Sequence, residues 1–117
     1  MGPRQDPKSQ LPLKPVELLV LSMLSAGDRH GYGIRQDIIE HTRGEMELEA
    51  GNLYRTIRRL ETDGLVDEAS GASSADERRR YYRLTAFGRR VLGAELERLR
   101  DLVRLGEERR VIGPTPA

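Results

Sequence analysis

The side chains with the clearest binding chemistry are one asparagine and three arginines that stand close together in the sequence. They are Asn52, Arg55, Arg58 and Arg59. Asparagine can pair with the edge of adenine, and arginine can pair with guanine or contact a phosphate. At 100° per residue, all four project to one side of a helix, opposite a set of aliphatic side chains. The spacing therefore predicts a helix whose exposed face reads the major groove of double-stranded DNA.

The other face of this predicted helix is suited to burial. It is formed by Leu53, Ile57 and Leu60. Tyr54 projects at the boundary between the faces, where packing is its favoured role and a phosphate contact through its hydroxyl is the alternative. An ordinary amphipathic surface helix is the competing interpretation. Against it, the polar face has few acids to balance its arginines, since Glu61 and Asp63 stand only near its end.

A second basic cluster follows at the base of a predicted β-hairpin. It consists of Arg78, Arg79 and Arg80. The hairpin tip, residues 69–76, is small and polar. Taken alone, the cluster would be interpreted as a solvated strand end. After a basic helix, however, it is typical of a winged helix, in which the hairpin contacts the DNA backbone or enters the minor groove.

The remaining reactive residue types give no catalytic, metal or cofactor site. The chain has no cysteine and two histidines, too few for a thiolate or histidine-rich metal site. His30 has no second ligand at a metal-like spacing, so a turn-stabilising hydrogen bond is favoured. Glu45, Glu47 and Glu49 have no paired histidine or nucleophile and are interpreted as a solvated turn. We therefore expect neither an enzyme nor a bound cofactor.

The composition predicts one soluble domain with an uneven distribution of charge. Of the 117 residues, 37% are hydrophobic and 33% charged, and the net charge is +1. Residues 15–50 carry seven acids and three arginines, whereas residues 51–90 carry nine arginines and six acids. This asymmetry points weakly to a polyanionic partner. No apolar run can span a membrane, and residues 1–14 lack the apolar segment of a secretion signal, so a cytoplasmic protein is expected.

Four helices and one hairpin are predicted to position these residues. Helices are expected at about residues 15–25, 31–42, 50–63 and 86–110, with strands at residues 65–68 and 79–84. Within the second strand, alternation puts Tyr82 in the core and leaves Tyr81 more exposed. The predicted fold is mainly α with a small β-hairpin, a winged helix-turn-helix plus a long C-terminal dimerisation helix. The domains follow as a flexible N-terminal arm (1–14), a DNA-binding domain (15–85), the dimerisation helix (86–110) and a disordered tail (111–117).

The fourth predicted helix carries an apolar seam with the spacing 4, 3, 4. Its members, the α4 seam, are Leu92, Leu96, Leu99 and Val103. This spacing is that of the a and d positions of a coiled coil. A helix of this length extends past a small three-helix core, so part of the seam needs a second surface. A homodimer is predicted, because a symmetric copy covers the seam and places two reading helices about 34 Å apart.

Several short motifs, in this order and spacing, resemble the PadR family of bacterial regulators over residues 15–106. They are Leu24-Ser25-Ala26-Gly27, His30-Gly31-Tyr32-Gly33-Ile34, Gly51-Asn52-Leu53-Tyr54, Leu60-Glu61-Thr62-Asp63-Gly64-Leu65-Val66 and Arg80-Tyr81-Tyr82-Arg83-Leu84-Thr85 with Gly88. The resemblance implies a winged-helix fold, a homodimer and repression by binding an operator. The family commonly has serine or threonine and then proline where this sequence has Glu49 and Ala50, and glutamate is a poorer N-cap than serine.

Two alternatives stay open at this point. A small-molecule effector cannot be identified, since the chain has no tryptophan and one phenylalanine with which to build an aromatic cage. A winged helix that binds an acidic protein partner is the competing function. Polar side chains on the third helix argue against it, because protein interfaces favour apolar or aromatic anchors. The sequence therefore favours a repressor that binds a pseudo-palindromic operator as a homodimer.

Overall fold

A computed structural model describes residues 6–46, 48–69 and 80–116. Its helices are α1 (Pro15–Leu24), α2 (Gly31–His41), α3 (Ala50–Thr62) and α4 (Ala86–Glu108). Its strands are β1 (Arg29–His30), β2 (Val66–Glu68) and β3 (Tyr81–Leu84). The prediction of a mainly helical fold with a small β-element is confirmed.

The three strands form one antiparallel sheet in the order β1-β3-β2. Tyr82 of the central strand pairs with Arg29 on one side and with Glu68 on the other. Alternation along β3 buries Tyr82 and exposes Tyr81, as predicted. Strand β1 has no counterpart in the sequence prediction, because two residues are too few to show a periodic pattern.

One aliphatic core joins the helices to the sheet. Helix α3 contributes Leu53, Ile57 and Leu60, each no more than 1% exposed. Burying a side chain of this kind contributes about 1.5–3 kcal/mol, so three together fix the rotation of α3 about its axis. The opposite face of α3 is therefore exposed to solvent. Further core residues are Val20, Leu21, Leu24, Ile34, Ile38, Leu48, Leu65, Val66, Tyr82, Leu84, Val91 and Leu92.

Helix α3 ends at a glycine that reverses the chain toward the sheet. Gly64 has a φ of 82°, a left-handed conformation that glycine adopts without steric cost. The N–H of Gly64 donates to the carbonyl of Glu61 at 3.1 Å, and that of Leu65 to the carbonyl of Leu60 at 2.9 Å. These two bonds form a Schellman motif. The chain therefore enters β2 shortly after the end of α3.

Helix α4 begins against this same turn. The hydroxyl of Thr85 accepts from the N–H of Gly88 at 2.9 Å and donates to the carbonyl of Gly64 at 2.7 Å. Thr85 is therefore the N-cap of α4. Gly88 lies so close to the chain before β2 that a Cβ there would overlap the Leu65 carbonyl oxygen. The end of α3 and the start of α4 are thus joined into one rigid corner.

The structure differs from the predicted mobile arm over residues 6–14. A 3-10 turn at Pro7–Gln10 lies on α4, and Leu11 and Leu13 pack against the core. The N–H of Leu13 donates to Glu95 of α4 at 2.8 Å. Local composition, with its prolines and lysines, could not indicate an anchor that is 82 positions away.

The predicted disordered tail also differs over the residues that the structure describes. Helix α4 ends at Glu108, and the N–H of Val111 then donates to the carbonyl of Gly106 at 2.9 Å. Further on, the N–H of Thr115 donates to the Glu107 carboxylate at 2.7 Å. Residues 111–116 therefore fold back on the end of α4, held by bonds to a backbone carbonyl and to a side-chain carboxylate.

Candidate nucleic-acid interface

The predicted reading residues share one exposed face of α3. Asn52, Arg55, Arg58 and Arg59, named here the reading face, are all exposed, while the aliphatic residues opposite are buried. The division follows from the helical period, because the core fixes which side of α3 faces inward. The reading face can therefore present hydrogen-bond donors and positive charge to a polyanion.

Two members of the reading face are hydrogen-bonded to each other. The Arg55 guanidinium donates to the Oδ1 atom of Asn52, one turn earlier on the helix. This bond leaves the Asn52 amide nitrogen directed elsewhere and holds the guanidinium along the helix surface. The two side chains thus form a joined donor group at the N-terminal part of α3, where a recognition helix contacts base edges.

Arg59 is oriented by an acid that sequence reasoning did not single out. Its Nη1 atom lies 3.8 Å from Oε2 of Glu17 in the first turn of α1. Oε1 of the same carboxylate accepts from the backbone N–H of Lys14 at 2.7 Å. No sequence signal could have found this contact, because α1 and α3 meet only in the folded chain.

An open groove of about 640 Å³ separates the start of α1 from α3. It is lined by Lys14, Pro15, Val16, Glu17, Leu48, Asn52, Arg55, Thr56 and Arg59. Lys14, which the sequence analysis assigned to the arm, adds a basic residue beside the reading face. Its lining combines apolar residues, such as Val16 and Leu48, with charged ones.

The start of α3 is held without a side-chain cap. Glu49 occupies the N-cap position and makes no capping hydrogen bond, consistent with the poor capping expected of glutamate. The preceding loop is fixed instead by Arg35 of α2, whose Nε donates to the carbonyl of Leu48 at 3.1 Å. Tyr54 is half-buried and packs against the core, which agrees with its favoured packing role.

Part of the predicted wing lies within the described residues. Arg80 is half-buried, and its Nε lies 3.4 Å from Oε1 of Glu68 across the sheet. Arg83 of β3 pairs with Asp67 of β2 at 3.0 Å. Arg78, Arg79 and residues 70–76 of the predicted tip lie outside the described residues. The basic cluster is therefore placed at Arg80 alone.

Helix α2 is anchored to the sheet by a histidine. His30 is the N-cap of α2, and its Nδ1 accepts from the N–H of Gly33 at 2.8 Å. The predicted turn-stabilising bond is confirmed. The same ring meets Tyr81 edge to face, with centroids 5.4 Å apart. Arg29 adds a bidentate pair with Asp37, so the start of α2 and the strands form one unit.

The α4 seam is divided between the core of this chain and its surface. Leu92 is buried in the core, which differs from its predicted place in a dimer interface. Its position at the N-terminal end of α4 explains this, because that part of the helix still faces α1. Leu99 is half-buried, whereas Leu96 and Val103 are 46% and 45% exposed. Leu102 and Leu105 are also exposed, and Leu105 lies on the opposite side of α4 from Leu96.

One acid on α4 is buried. Glu95 is 1% exposed and accepts from Arg98, at 2.5 Å for Nε to Oε1 and 3.2 Å for Nη2 to Oε2. The hydrogen bond from Arg98 lowers the pKa of Glu95, burial acts in the opposite direction, and the N–H of Leu13 lowers it further. The same contact raises the pKa of Arg98. Glu95 is therefore held as a carboxylate at neutral pH.

Residues 6–46, 48–69 and 80–116 contain neither a membrane-spanning helix nor a cluster of metal-ligand side chains. No helix in these ranges combines the length and apolar character needed to cross a membrane. In the same part of the chain, no three histidine, cysteine, aspartate or glutamate side chains are grouped as metal ligands would be.

The model of the PadR-like transcriptional regulator family matches residues 20–94. A transcriptional regulator of Mycobacterium tuberculosis is 34% identical over 90 residues, which cover 76% of this chain and 79% of the relative. A PadR family transcription regulator from Clostridium difficile superposes with a TM-score of 0.68 at 28% identity. That match covers 81% of this chain and 97% of the other.

A more distant structure shares the fold. Bacillus subtilis PadR, solved in complex with operator DNA, has a TM-score of 0.61 at 20% identity, over 73% of this chain and 48% of the other. The family match extends from within α1 into α4 and so includes all or part of each of the four helices and all three strands. On this evidence the chain belongs to the PadR-like family of transcriptional regulators, which is a family of regulators and not of enzymes.

Proposed function

We propose that this chain is a repressor that binds a pseudo-palindromic operator in double-stranded DNA as a homodimer. The observation that carries the proposal is the reading face, with its exposed asparagine and arginines opposite a buried aliphatic face. In this proposal α3 enters the major groove and the reading face contacts base edges. The operator complex of Bacillus subtilis PadR, which has the same fold, supports a DNA partner. A cytoplasmic location goes with this function.

The wing is proposed to contact the DNA backbone. Arg80 stands at its base, and Arg78 and Arg79 precede it in the sequence. Arginines on a hairpin beside the duplex suit phosphates, which fix the register of the protein without reading sequence. The wing would therefore set affinity, while the reading face sets specificity.

Dimerisation is proposed to occur through α4. The helix has 23 residues and is about 34 Å long at 1.5 Å per residue, whereas its buried residues end at Glu95. Beyond that point Leu96 and Val103 are exposed. They lie on the same side of the helix as Leu92, so the apolar stripe extends beyond the part of α4 that packs in the core. A second copy is the economical cover, because a symmetric pair of helices buries both stripes together.

Replacing Arg55 tests the proposed function. DNA from upstream of the chain's own gene is titrated with the wild-type protein and with Arg55→Ala. We expect Arg55→Ala to lose about 1–3 kcal/mol of binding free energy, because an arginine paired with a base edge is worth that much. Arg104→Ala is the matched control, since Arg104 is an exposed α4 arginine paired with Asp101 at 3.2 Å. Equal affinity of Arg55→Ala and Arg104→Ala would remove α3 from the proposed interface.

A further inference from the structure

Two adjacent peptide groups at the start of α1 are each held by a carboxylate. The N–H of Leu13 donates to Oε2 of Glu95 at 2.8 Å, and the N–H of Lys14 donates to Oε1 of Glu17 at 2.7 Å. Glu95 belongs to α4, whereas Glu17 belongs to the first turn of α1. The start of α1 is therefore held by two helices: by α4, which is proposed to dimerise, and by the first turn of α1 itself.

The second carboxylate oxygen of Glu17 faces Arg59, a member of the reading face. This Oε2 atom lies 3.8 Å from Nη1 of Arg59, and the Glu17 side chain is 12% exposed while that of Arg59 is 53% exposed. A shielded carboxylate attracts a guanidinium more strongly than one in bulk water, so it restricts the directions in which Arg59 can point. Glu95 is thus linked to Arg59 in three polar steps. Glu95 holds the N–H of Leu13, Glu17 holds the N–H of the next residue, Lys14, and Glu17 also faces Arg59.

Packing alone does not account for a carboxylate at Glu95. Burying a charge is costly, and a buried ion pair is often no more stabilising than apolar residues of the same size. On the helix, Glu95 stands one turn from Leu92 and one turn from Leu99, both of them members of the α4 seam. What the carboxylate supplies, and an aliphatic side chain could not, is an acceptor for the N–H of Leu13.

We propose that Glu95 and Glu17 are positioning residues for DNA reading, which transmit the placement of α4 to the guanidinium of Arg59. The inference rests on the proposed function, in which α3 reads base edges and α4 dimerises. It adds that the N-terminal segment, residues 6–14, is part of the reading apparatus. Dimerisation and base reading are then coupled through two hydrogen bonds at the start of α1 and the ion pair of Glu17 with Arg59.

The test measures sequence discrimination in a mutant cycle. A duplex enriched by the wild-type protein from a randomised pool serves as the specific probe, and a scrambled duplex as the non-specific one. The ratio of the two Kd values is measured for Glu95→Ala, Glu95→Gln and Glu97→Ala, each with Arg59 intact and with Arg59→Ala. Glu97 is the matched control, because it pairs with Arg100 three residues along, as Glu95 pairs with Arg98.

We expect Glu95→Ala to reduce the ratio about fivefold, as mutations in a coupled network do. Glu95→Gln is expected to keep most of the discrimination, because a carboxamide oxygen can still accept from Leu13. Glu97→Ala should have no effect. With Arg59→Ala already present, Glu95→Ala should cause no further loss, since the group that it positions is gone.

Glu17→Gln provides a second route if Glu95→Ala does not fold. It keeps an acceptor for the N–H of Lys14 but removes the charge facing Arg59, so it should reproduce the loss seen with Glu95→Ala. Additive effects of the acid variants and Arg59→Ala, or unchanged discrimination in both acid variants, would overturn the inference. Failure of the proposed function looks different, because the wild-type protein would then enrich no duplex and Arg55→Ala would change nothing.

Discussion

Two arginines of the reading face are already held by neighbours before any DNA is present. Arg55 donates to Asn52, and Arg59 lies beside Glu17. A long side chain that is fixed in advance loses less conformational freedom when it binds, and this strengthens binding without adding a contact. The sequence pattern predicts that these arginines lie on the exposed face of α3. It does not predict which neighbouring side chains they contact.

Gly88 is the residue at which added volume should be least tolerated. We expect Gly88→Ala to lose about 1–3 kcal/mol of unfolding free energy, because its Cβ would overlap the backbone carbonyl of Leu65 and separate α4 from the turn before β2. Gly93→Ala is the control on the same helix, since no atom lies within 4 Å of its added Cβ. It should be neutral or stabilising by up to about 1 kcal/mol, from the helix propensity of alanine. Denaturant titration measures both, and equal stability of the two variants would contradict the assignment.

The buried carboxylate of Glu95 should make stability depend on pH in a defined direction. Its pKa in the folded chain is lowered from the ordinary value of 4.5, chiefly by the hydrogen bond from Arg98. Its contribution is therefore complete above about pH 4.5 and is lost as the pH falls through the lower folded value. We expect the stability difference between wild type and Glu95→Gln to shrink from neutral pH to about pH 3 in denaturant titrations. A difference that stays constant or widens on acidification would show that Glu95 is not held ionised.

Among the elements, α4 serves two structures at once. Its first turns complete the core through Val91 and Leu92, and its later turns present Leu96 and Val103 to solvent. The boundary between the two uses lies near Glu95, where the N-terminal segment crosses the helix. In the sequence, such a helix shows one continuous apolar seam. Its periodicity identifies the apolar side but not whether the core or a second subunit packs against it.

The exposed part of the α4 seam should determine the oligomeric state. We expect Leu96→Glu to be monomeric in analytical ultracentrifugation, because a carboxylate buried against its symmetry mate would be desolvated without a partner. Specific DNA binding should fall with it, although the reading face is unchanged. Leu105→Glu is the control, since Leu105 is as exposed as Leu96 but nine residues away, on the opposite side of the helix. A dimeric Leu96→Glu protein, or a monomer that binds as well as wild type, would refute the proposed interface.

The elements that the sequence predicted are those with a strong internal period. Helix α3 shows this best, since Leu53, Ile57 and Leu60 are buried on the predicted face. The features that the sequence did not predict depend on contacts between distant positions. Strand β1 exists because Arg29 and His30 pair with β3 some fifty positions later, and residues 6–14 are placed by Glu95. A buried acid such as Glu95 looks in sequence like any other polar helix position, so its role could not be read from the pattern.

At the scale of the whole molecule, the proposed dimer must match the pitch of DNA. Two reading helices related by a two-fold axis would contact half-sites one helical turn apart, which is about 10 base pairs. Inserting about 5 base pairs between the half-sites turns one of them to the opposite side of the duplex. We expect such an operator to bind no better than a single half-site in a gel-shift titration. Undiminished affinity would mean that the two modules are not rigidly joined, contrary to the tight coupling proposed at the start of α1.

The order of the sheet also has a consequence for how copies of this protein meet. Strand β3 has a neighbour on both sides, and the strands at the edges, β1 and β2, are only two and three residues long. Short edges offer little template for a strand from another chain, which is how many β-sheets avoid aggregation. Within the described residues, the sheet is therefore a poor site for uncontrolled growth. In the proposed dimer, self-association uses α4 instead, and a two-fold pair of helices is closed at two copies.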